Sequence, residues 1–288
     1  MEKEIIGIIG GTGLYQMEGI TITEEVNMET PFGKPSSPLF CGKIGEKDCI
    51  FLARHGLHHS ILPHEINYCA NIYALKKLGV HMICSVSAVG SMREDIHPGD
   101  MVFPHQFFDR TRQRLSTFFG NGIAAHISFA HPICKELSDI LYTIALELGY
   151  TAHRGGTYLC MEGPQFSTLA ESEIYRKWGV DIIGMTNLQE AKLAREAELC
   201  YATIALVTDY DCWHEEHEAV SVESVVEILK SNAQKAQKLL LEAVPKLTAK
   251  DRKCHCPEAL QNAILTPKEH IPEETKDALW PIIGKYMT

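Results

Sequence analysis

Apolar residues in this chain fall into short unbroken runs separated by longer stretches of helical spacing. Runs at residues 5–9, 49–53, 81–87, 157–161 and 201–207, with briefer ones at 101–104 and 181–184, predict strands buried on both faces. Between them, residues 66–78, 132–148, 169–178, 187–198 and 222–244 carry apolar positions at helical intervals. Gly79, Gly149, Gly179 and Pro245 supply the stops, and Thr186 or Asn187 the cap of the helix that begins near 187. This alternation predicts an α/β fold. Beyond residue 248 the pattern weakens. Residues 249–288 read as a polar connector with two short helices, the second near 273–286. They are expected to be a C-terminal extension of the domain formed by residues 1–248, not a second domain.

Polar, Gly-rich segments follow the predicted strands: Gly10-Gly11-Thr12-Gly13, Arg54-His55-Gly56, Ser87-Ala88-Val89-Gly90-Ser91, Met185-Thr186 and Thr208-Asp209-Tyr210-Asp211. In α/β sheets ligands bind beyond the carboxyl ends of strands, so these segments predict one shared pocket. The first turn lacks the third glycine of a dinucleotide fingerprint, and no Gly-Lys-Ser/Thr follows any turn. Its backbone N–H groups still suit a small anion, although a plain tight turn is the alternative. Arg54 emerges from an apolar strand and carries a planar fork that matches phosphate oxygens; a surface salt bridge is its other reading. Asp209 and Asp211 are paired carboxylates suited to proton transfer or to an Asx turn. Phe166, in Gly163-Pro164-Gln165-Phe166-Ser167, offers a ring that could stack on a flat base. No Gly-x-Ser-x-Gly elbow is present.

Composition narrows the picture. The 288 residues carry a formal net charge of −10, which argues against nucleic-acid binding. No apolar run is long enough to span a membrane, and the first residues lack the makeup of a signal peptide, so a cytoplasmic protein is expected. Four histidines between Arg54 and His64 have no acid among them, so no metal is expected there. Most of the ten cysteines sit in apolar runs and behave as small hydrophobes. Cys254-His255-Cys256 lies in a polar stretch instead. Two thiols and one imidazole leave a tetrahedral zinc one ligand short. Reduced thiols are the expected state there, with a tight disulfide the next alternative.

Taken with Thr30-Pro31-Phe32-Gly33-Lys34-Pro35-Ser36, Asn67-Tyr68, Gly90-Ser91-Met92-Arg93-Glu94, Glu162-Gly163-Pro164 and Thr208-Asp209-Tyr210-Asp211-Cys212-Trp213, the chain closely resembles the trimeric purine nucleoside phosphorylase family, in its branch acting on 5'-methylthioadenosine. The resemblance runs to about residue 241. It implies a single α/β domain whose central mixed β-sheet forms a distorted barrel surrounded by helices, assembled as a homotrimer or a pair of trimers. It implies phosphorolysis of 5'-methylthioadenosine to adenine and 5-methylthioribose 1-phosphate, in purine and methionine salvage, with inorganic phosphate as co-substrate and no cofactor or metal. By the same resemblance Thr12, Arg54, His55, Ser87 and Thr186 hold phosphate. Ala88 and Met185 contact the nucleoside at the ribose, Phe166 covers the base, and Ser167, Asp209 and Asp211 line the base edge. Val222 and Val225 enclose the 5'-methylthio group with His59 nearby, and His126 reaches into a neighbour's site. Asp209 is expected to be the general acid to purine N7, with Asp211 beside it. Gln189 departs from the family, where Pro is frequent.

Other readings differ at particular residues. A phosphorylase for inosine and guanosine would, by resemblance, carry Glu at Ser167 and Asn at Asp209. A nucleosidase using water would not need Arg54 and His55, and a non-catalytic nucleoside-binding protein would be expected to have lost Asp209 or the phosphate ligands.

Overall fold

A computed structural model describes residues 4–11, 14, 19–214, 222–250 and 252–288, with only the backbone path given for residues 222–227 and 229. Strands β1 (Ile5–Gly10), β4 (Lys47–Ala53), β5 (Val80–Ser91) and β11 (Cys200–Asp209) form the parallel centre of the sheet. They are nearly continuous runs of buried residues, as strands covered on both faces must be. β2 (Ile20–Val26) and β3 (Leu39–Ile44) extend one edge as antiparallel ribbons. β10 (Ile182–Gly184), β9 (Thr157–Met161) and β7 (Gln106–Arg110) extend the other. β6 (Met101–Phe103) and β8 (Ala152–Arg154) branch from β11.

The mixed sheet is the expected one, and its pairings among the described residues give an open, branched order. The branch point is β5. At 12 residues it is long enough to pair in parallel with β1 and β11 and, at its far end, antiparallel with β10. Its length also corrects a boundary. Ala88 to Ser91 were expected beyond the strand, but they remain in it, because β11 and β10 continue to satisfy their backbone groups.

Helices α1 (Tyr68–Lys77), α2 (Lys135–Glu147), α3 (Leu169–Lys177), α4 (Asn187–Glu196), α5 (Val222–Ala243) and α6 (Glu273–Met287) surround the sheet. α3 starts with a capping box between Thr168 and Glu171. The extension packs into the common core: Leu260, Ile271, Leu279, Ile282 and Ile283 are buried with residues of β1, β5 and α1. Tyr73 of α1 donates to the carbonyl of Ala278 at 2.8 Å, and Tyr286 donates to Glu198 at 2.5 Å. No helix among the described residues is long and apolar enough to cross a membrane.

Candidate active site

β5 organises the candidate site. Of its residues only Ala88 is exposed, so the strand presents one open position in an otherwise buried run. Ser87 lies beside it, buried, with its hydroxyl donating to Asn187 Oδ1 at 2.6 Å. β11 pairs with β5 in register from Cys200 to Val207, and the register then shifts before Asp209 pairs with Gly90. Such a bulge re-aims the side chain that follows it. Gly90 has no side chain to obstruct this: a Cβ there would stand 2.8 Å from Asp209 Oδ1 and 3.3 Å from the Asp211 nitrogen.

Asp209 is held by two donors. Thr208 Oγ1 donates to its Oδ2 at 2.6 Å, and the Asp211 N–H donates to its Oδ1 at 2.8 Å. The second bond closes an Asx turn, with Asp211 in the left-handed region at φ 53°. Burial raises the Asp209 carboxyl from 3.8 to about 6, against the pull of these donors, and the charge of Asp211 adds a smaller push. The Asx turn and the raised carboxyl are therefore one structure. Ser167 comes close to the same corner, its carbonyl accepting from the Cys212 thiol at 3.4 Å. Phe166 is 52% exposed, so its ring is free of the protein core.

The expected phosphate ligands are distributed less simply. Arg54 is buried, and its fork grips Glu190 through Nε at 2.5 Å and Nη2 at 3.2 Å. It also donates to Ser85 Oγ at 2.6 Å and the Val86 carbonyl at 2.9 Å. Four of the five guanidinium N–H groups are thereby engaged inside the protein, which leaves one Nη1 proton for a ligand. The salt bridge anticipated as an alternative is thus real, but it is buried. Burial opposes the Arg54 charge; Glu190 outweighs it and holds the group firmly protonated. Ser85, Asn187 and Tyr201 complete the network: Ser85 and Tyr201 donate to Glu190 Oε2 at 2.7 and 2.8 Å, and Asn187 donates to both hydroxyls.

His55 adds an acceptor. Its Nδ1 lies 2.8 Å from the Ile61 carbonyl, which can only accept, so the ring proton sits on Nδ1 and Nε2 keeps its lone pair. Burial, helped by the charge of Arg54, lowers its pKa from 6.5 to about 4, so the ring is neutral at physiological pH. His59 stacks on it with centroids 4.4 Å apart. Thr186 is the buried N-cap of α4 and makes no side-chain capping bond. The helix N-terminus behind it favours an anion.

Met185 precedes that cap and is fixed through its carbonyl, which accepts from Arg114 Nη1. Arg114 also holds the carbonyls of Met161 and Glu162 and the side chain of Gln189. Gln189, unexplained by the family pattern, has a clear place here: buried, it accepts from Arg114 at 3.1 Å and donates to Thr111 at 2.8 Å. His126 is exposed. Its N–H donates to the Ala263 carbonyl of the extension at 2.9 Å. Thr12 and the side chains of Val222 and Val225 lie outside the described residues. A surface depression of about 640 Å³ lined by Met92, Arg93, Arg176 and Asp181 shares none of these residues.

Glu190, Ser85, Asn187, Tyr201 and Arg114 were not anticipated. A serine inside the apolar run of β5 was the one sequence signal of the network; the others stand in ordinary helical, strand or loop contexts.

The phosphorylase superfamily model matches residues 5–245. The chain is 56% identical to the S-methyl-5'-thioadenosine phosphorylase of Geobacter sulfurreducens over 286 residues, covering 99% of this chain and 100% of the relative. Among solved structures it superimposes on a methylthioadenosine phosphorylase from an antarctic soil metagenomic library with a TM-score of 0.93, at 48% identity, over 98% of this chain and 99% of that one. It also superimposes on the Schistosoma mansoni methylthioadenosine phosphorylase in complex with adenine with a TM-score of 0.84, at 38% identity, over 90% and 96% of the two chains. By model, sequence and fold together, this chain belongs to the phosphorylase superfamily.

Proposed function

We propose that the protein catalyses phosphorolysis of 5'-methylthioadenosine, releasing adenine and 5-methylthioribose 1-phosphate for purine and methionine salvage. The observation that carries the reading is Asp209 at the β11 bulge, opposite Gly90 of β5, where Thr208 and the Asp211 N–H fix a carboxyl that burial raises to about 6. The nearness of the relatives supports the substrate.

In this scheme the C1'–N9 bond breaks as a phosphate oxygen bonds to C1'. Negative charge gathers on the leaving purine, and protonated Asp209 transfers its proton to N7. Asp211 holds Asp209 in place through its N–H. Ser87, Thr186 and the remaining Arg54 proton, with Thr12, donate to the phosphate oxygens. Neutral His55 accepts the P–OH hydrogen at Nε2, which leaves the attacking oxygen free of its proton. Met185, with Ala88, underlies the ribose; Phe166 and Ser167 meet the base; Val222, Val225 and His59 surround the methylthio group. No organic cofactor or metal enters this chemistry. Positioning of two reactants in line supplies much of the remaining acceleration.

Adenine release from 5'-methylthioadenosine should require inorganic phosphate and yield one sugar phosphate per adenine. Equal release in phosphate-free buffer would replace this reading with a nucleosidase.

The proposed working unit is a cytoplasmic homotrimer, alone or paired, in which residues 1–248 form the catalytic domain and 249–288 its extension. An exposed His126 held by that extension supports a contribution to a neighbour's site. So does the exposed apolar surface of Phe108, Leu115, Leu169 and Trp178. Sedimentation at assay concentration should show trimers or hexamers; an active monomer would contradict the shared site.

A further inference from the structure

Four cysteine sulfurs from three distant stretches meet where the extension joins the core. Cys134 is the N-cap of α2, Cys200 opens β11, and Cys254 and Cys256 belong to the extension. Their Sγ atoms all lie within 4.8 Å of one another, and Cys200 and Cys254 are 3.4 Å apart. We propose that this cluster is a structural zinc site with four thiolate ligands.

The spacing selects this chemistry. With Zn–S bonds of about 2.3 Å, the edges of a ZnS₄ tetrahedron are about 3.8 Å, so small sulfur movements close the cage around one ion. Disulfides would instead divide the sulfurs into pairs at about 2.05 Å, whereas here all four are mutual neighbours. Soft thiolates favour zinc over magnesium or calcium. The linear Cys254-His255-Cys256 motif lacked ligands only when taken alone. His255 turns outward with 93% of its side chain exposed, and Cys134 and Cys200 supply the two missing sulfurs.

The surroundings suit the charge. Four thiols binding Zn²⁺ release four protons to solvent and leave a net charge of −2. Arg252 Nη1 lies 3.8 Å from Cys200 Sγ, and the α2 N-terminus, which has no side-chain capping bond from Cys134, faces the same group. Glu136, in the first turn of α2, accepts from the backbone of Lys253 and Cys254 at 2.9 and 3.1 Å and so fixes the approach of the ligand loop. The site fastens the extension that also holds His126 through Ala263 and Ala124 through Leu265.

The test is elemental analysis of the full-length protein, purified with a reductant and without chelators, then reconstituted with zinc sulfate and desalted. Near one zinc per chain is expected, with all ten thiols reactive after denaturation in chelator. Stripping the metal should lower the melting temperature by about 10 °C. Cobalt(II) substitution should give the visible bands of a tetrahedral thiolate site. Cys254→Ser with Cys256→Ser should abolish zinc uptake, whereas Cys41→Ser, outside the cluster, should keep it. Should the double variant fail to fold, zinc content and the cobalt spectrum of the wild type decide alone. Less than a tenth of an equivalent of zinc after reconstitution would overturn the proposal, whether the thiols proved all free or paired as disulfides. Stoichiometric iron in place of zinc would overturn it too.

Discussion

Asp209→Asn is expected to lower kcat for 5'-methylthioadenosine by about 10²-fold or more, with a smaller change in the nucleoside KM. The amide keeps the shape of the carboxyl and its bonds to Thr208 and Asp211 in outline, but it has no proton to transfer to N7. The pH profile gives a second readout. Burial lifts the free-enzyme carboxyl to about 6, so the protonated form declines as pH rises through that value. Log kcat/KM of the wild type should therefore fall with increasing pH above about 6, and the variant should lack this limb. Stability follows the same sign. A carboxyl whose folded pKa exceeds its unfolded value of 3.8 stabilises the fold fully only below the latter, and this contribution is lost as pH rises through about 6. Asn stays neutral, so the variant should melt higher than wild type at pH 8 and level with it near pH 3. Inosine should also become a relatively better substrate, because an amide both donates and accepts at a 6-oxo purine. Near-normal turnover of methylthioadenosine by the variant would remove Asp209 from the acid role.

Arg54→Ala is expected to cost about 3–5 kcal/mol of stability, since it leaves the Glu190 carboxylate buried without its cation. Arg54 and Glu190 are each at most 3% exposed, so water cannot take the place of the guanidinium without opening the structure. Ser85 and Val86 would lose a donor as well. Chemical denaturation of wild type, Arg54→Met, Glu190→Leu and the double variant Arg54→Met/Glu190→Leu would measure the coupling, with Arg54→Ala read beside them. The double variant should recover much of the loss, because the uncompensated charge disappears. Wild-type stability in Arg54→Ala would show that the pair carries no structural weight. The phosphate role is better read from Arg54→Lys, which keeps a charge near Glu190 but loses the planar fork. Its KM for phosphate should rise more than its KM for the nucleoside.

These expectations draw on unequal parts of the sequence and the structure. The apolar runs of β1, β4, β5 and β11 were legible because strands covered on both faces must be apolar throughout. The glycines closing α1, α2 and α3 were legible for a local reason too: the chain must leave the helix in a left-handed turn. Strand β2 was not, since five of its seven residues are exposed and its sequence Ile-Thr-Ile-Thr-Glu-Glu-Val carries little burial signal. Its pairing with β3, and not its own composition, makes it a strand.

The candidate site divides in the same way. Asp209, Arg54, His55, Ser87 and Thr186 could be named because each stands at or just past the end of a run that the sequence predicts as a strand, and polar residues in that position are conspicuous. What each does was decided by partners far away in the chain. Glu190 is 136 residues from Arg54 and Asn187 is 100 residues from Ser87, so no local pattern links them. The bulge that turns Asp209 beside Gly90 exists only in the pairing of β11 with β5. Cys254 and Cys256 stood two ligands short until the chain brought in Cys134 and Cys200. The sequence alone determined the order of the buried strands and of the helices and the chemistry available at strand ends, because burial pattern and turn chemistry are local. Tertiary structure alone decided which charges are compensated, which carboxyl titrates near pH 6 and which thiols converge, because desolvation and pairing depend on residues that meet only in the folded chain.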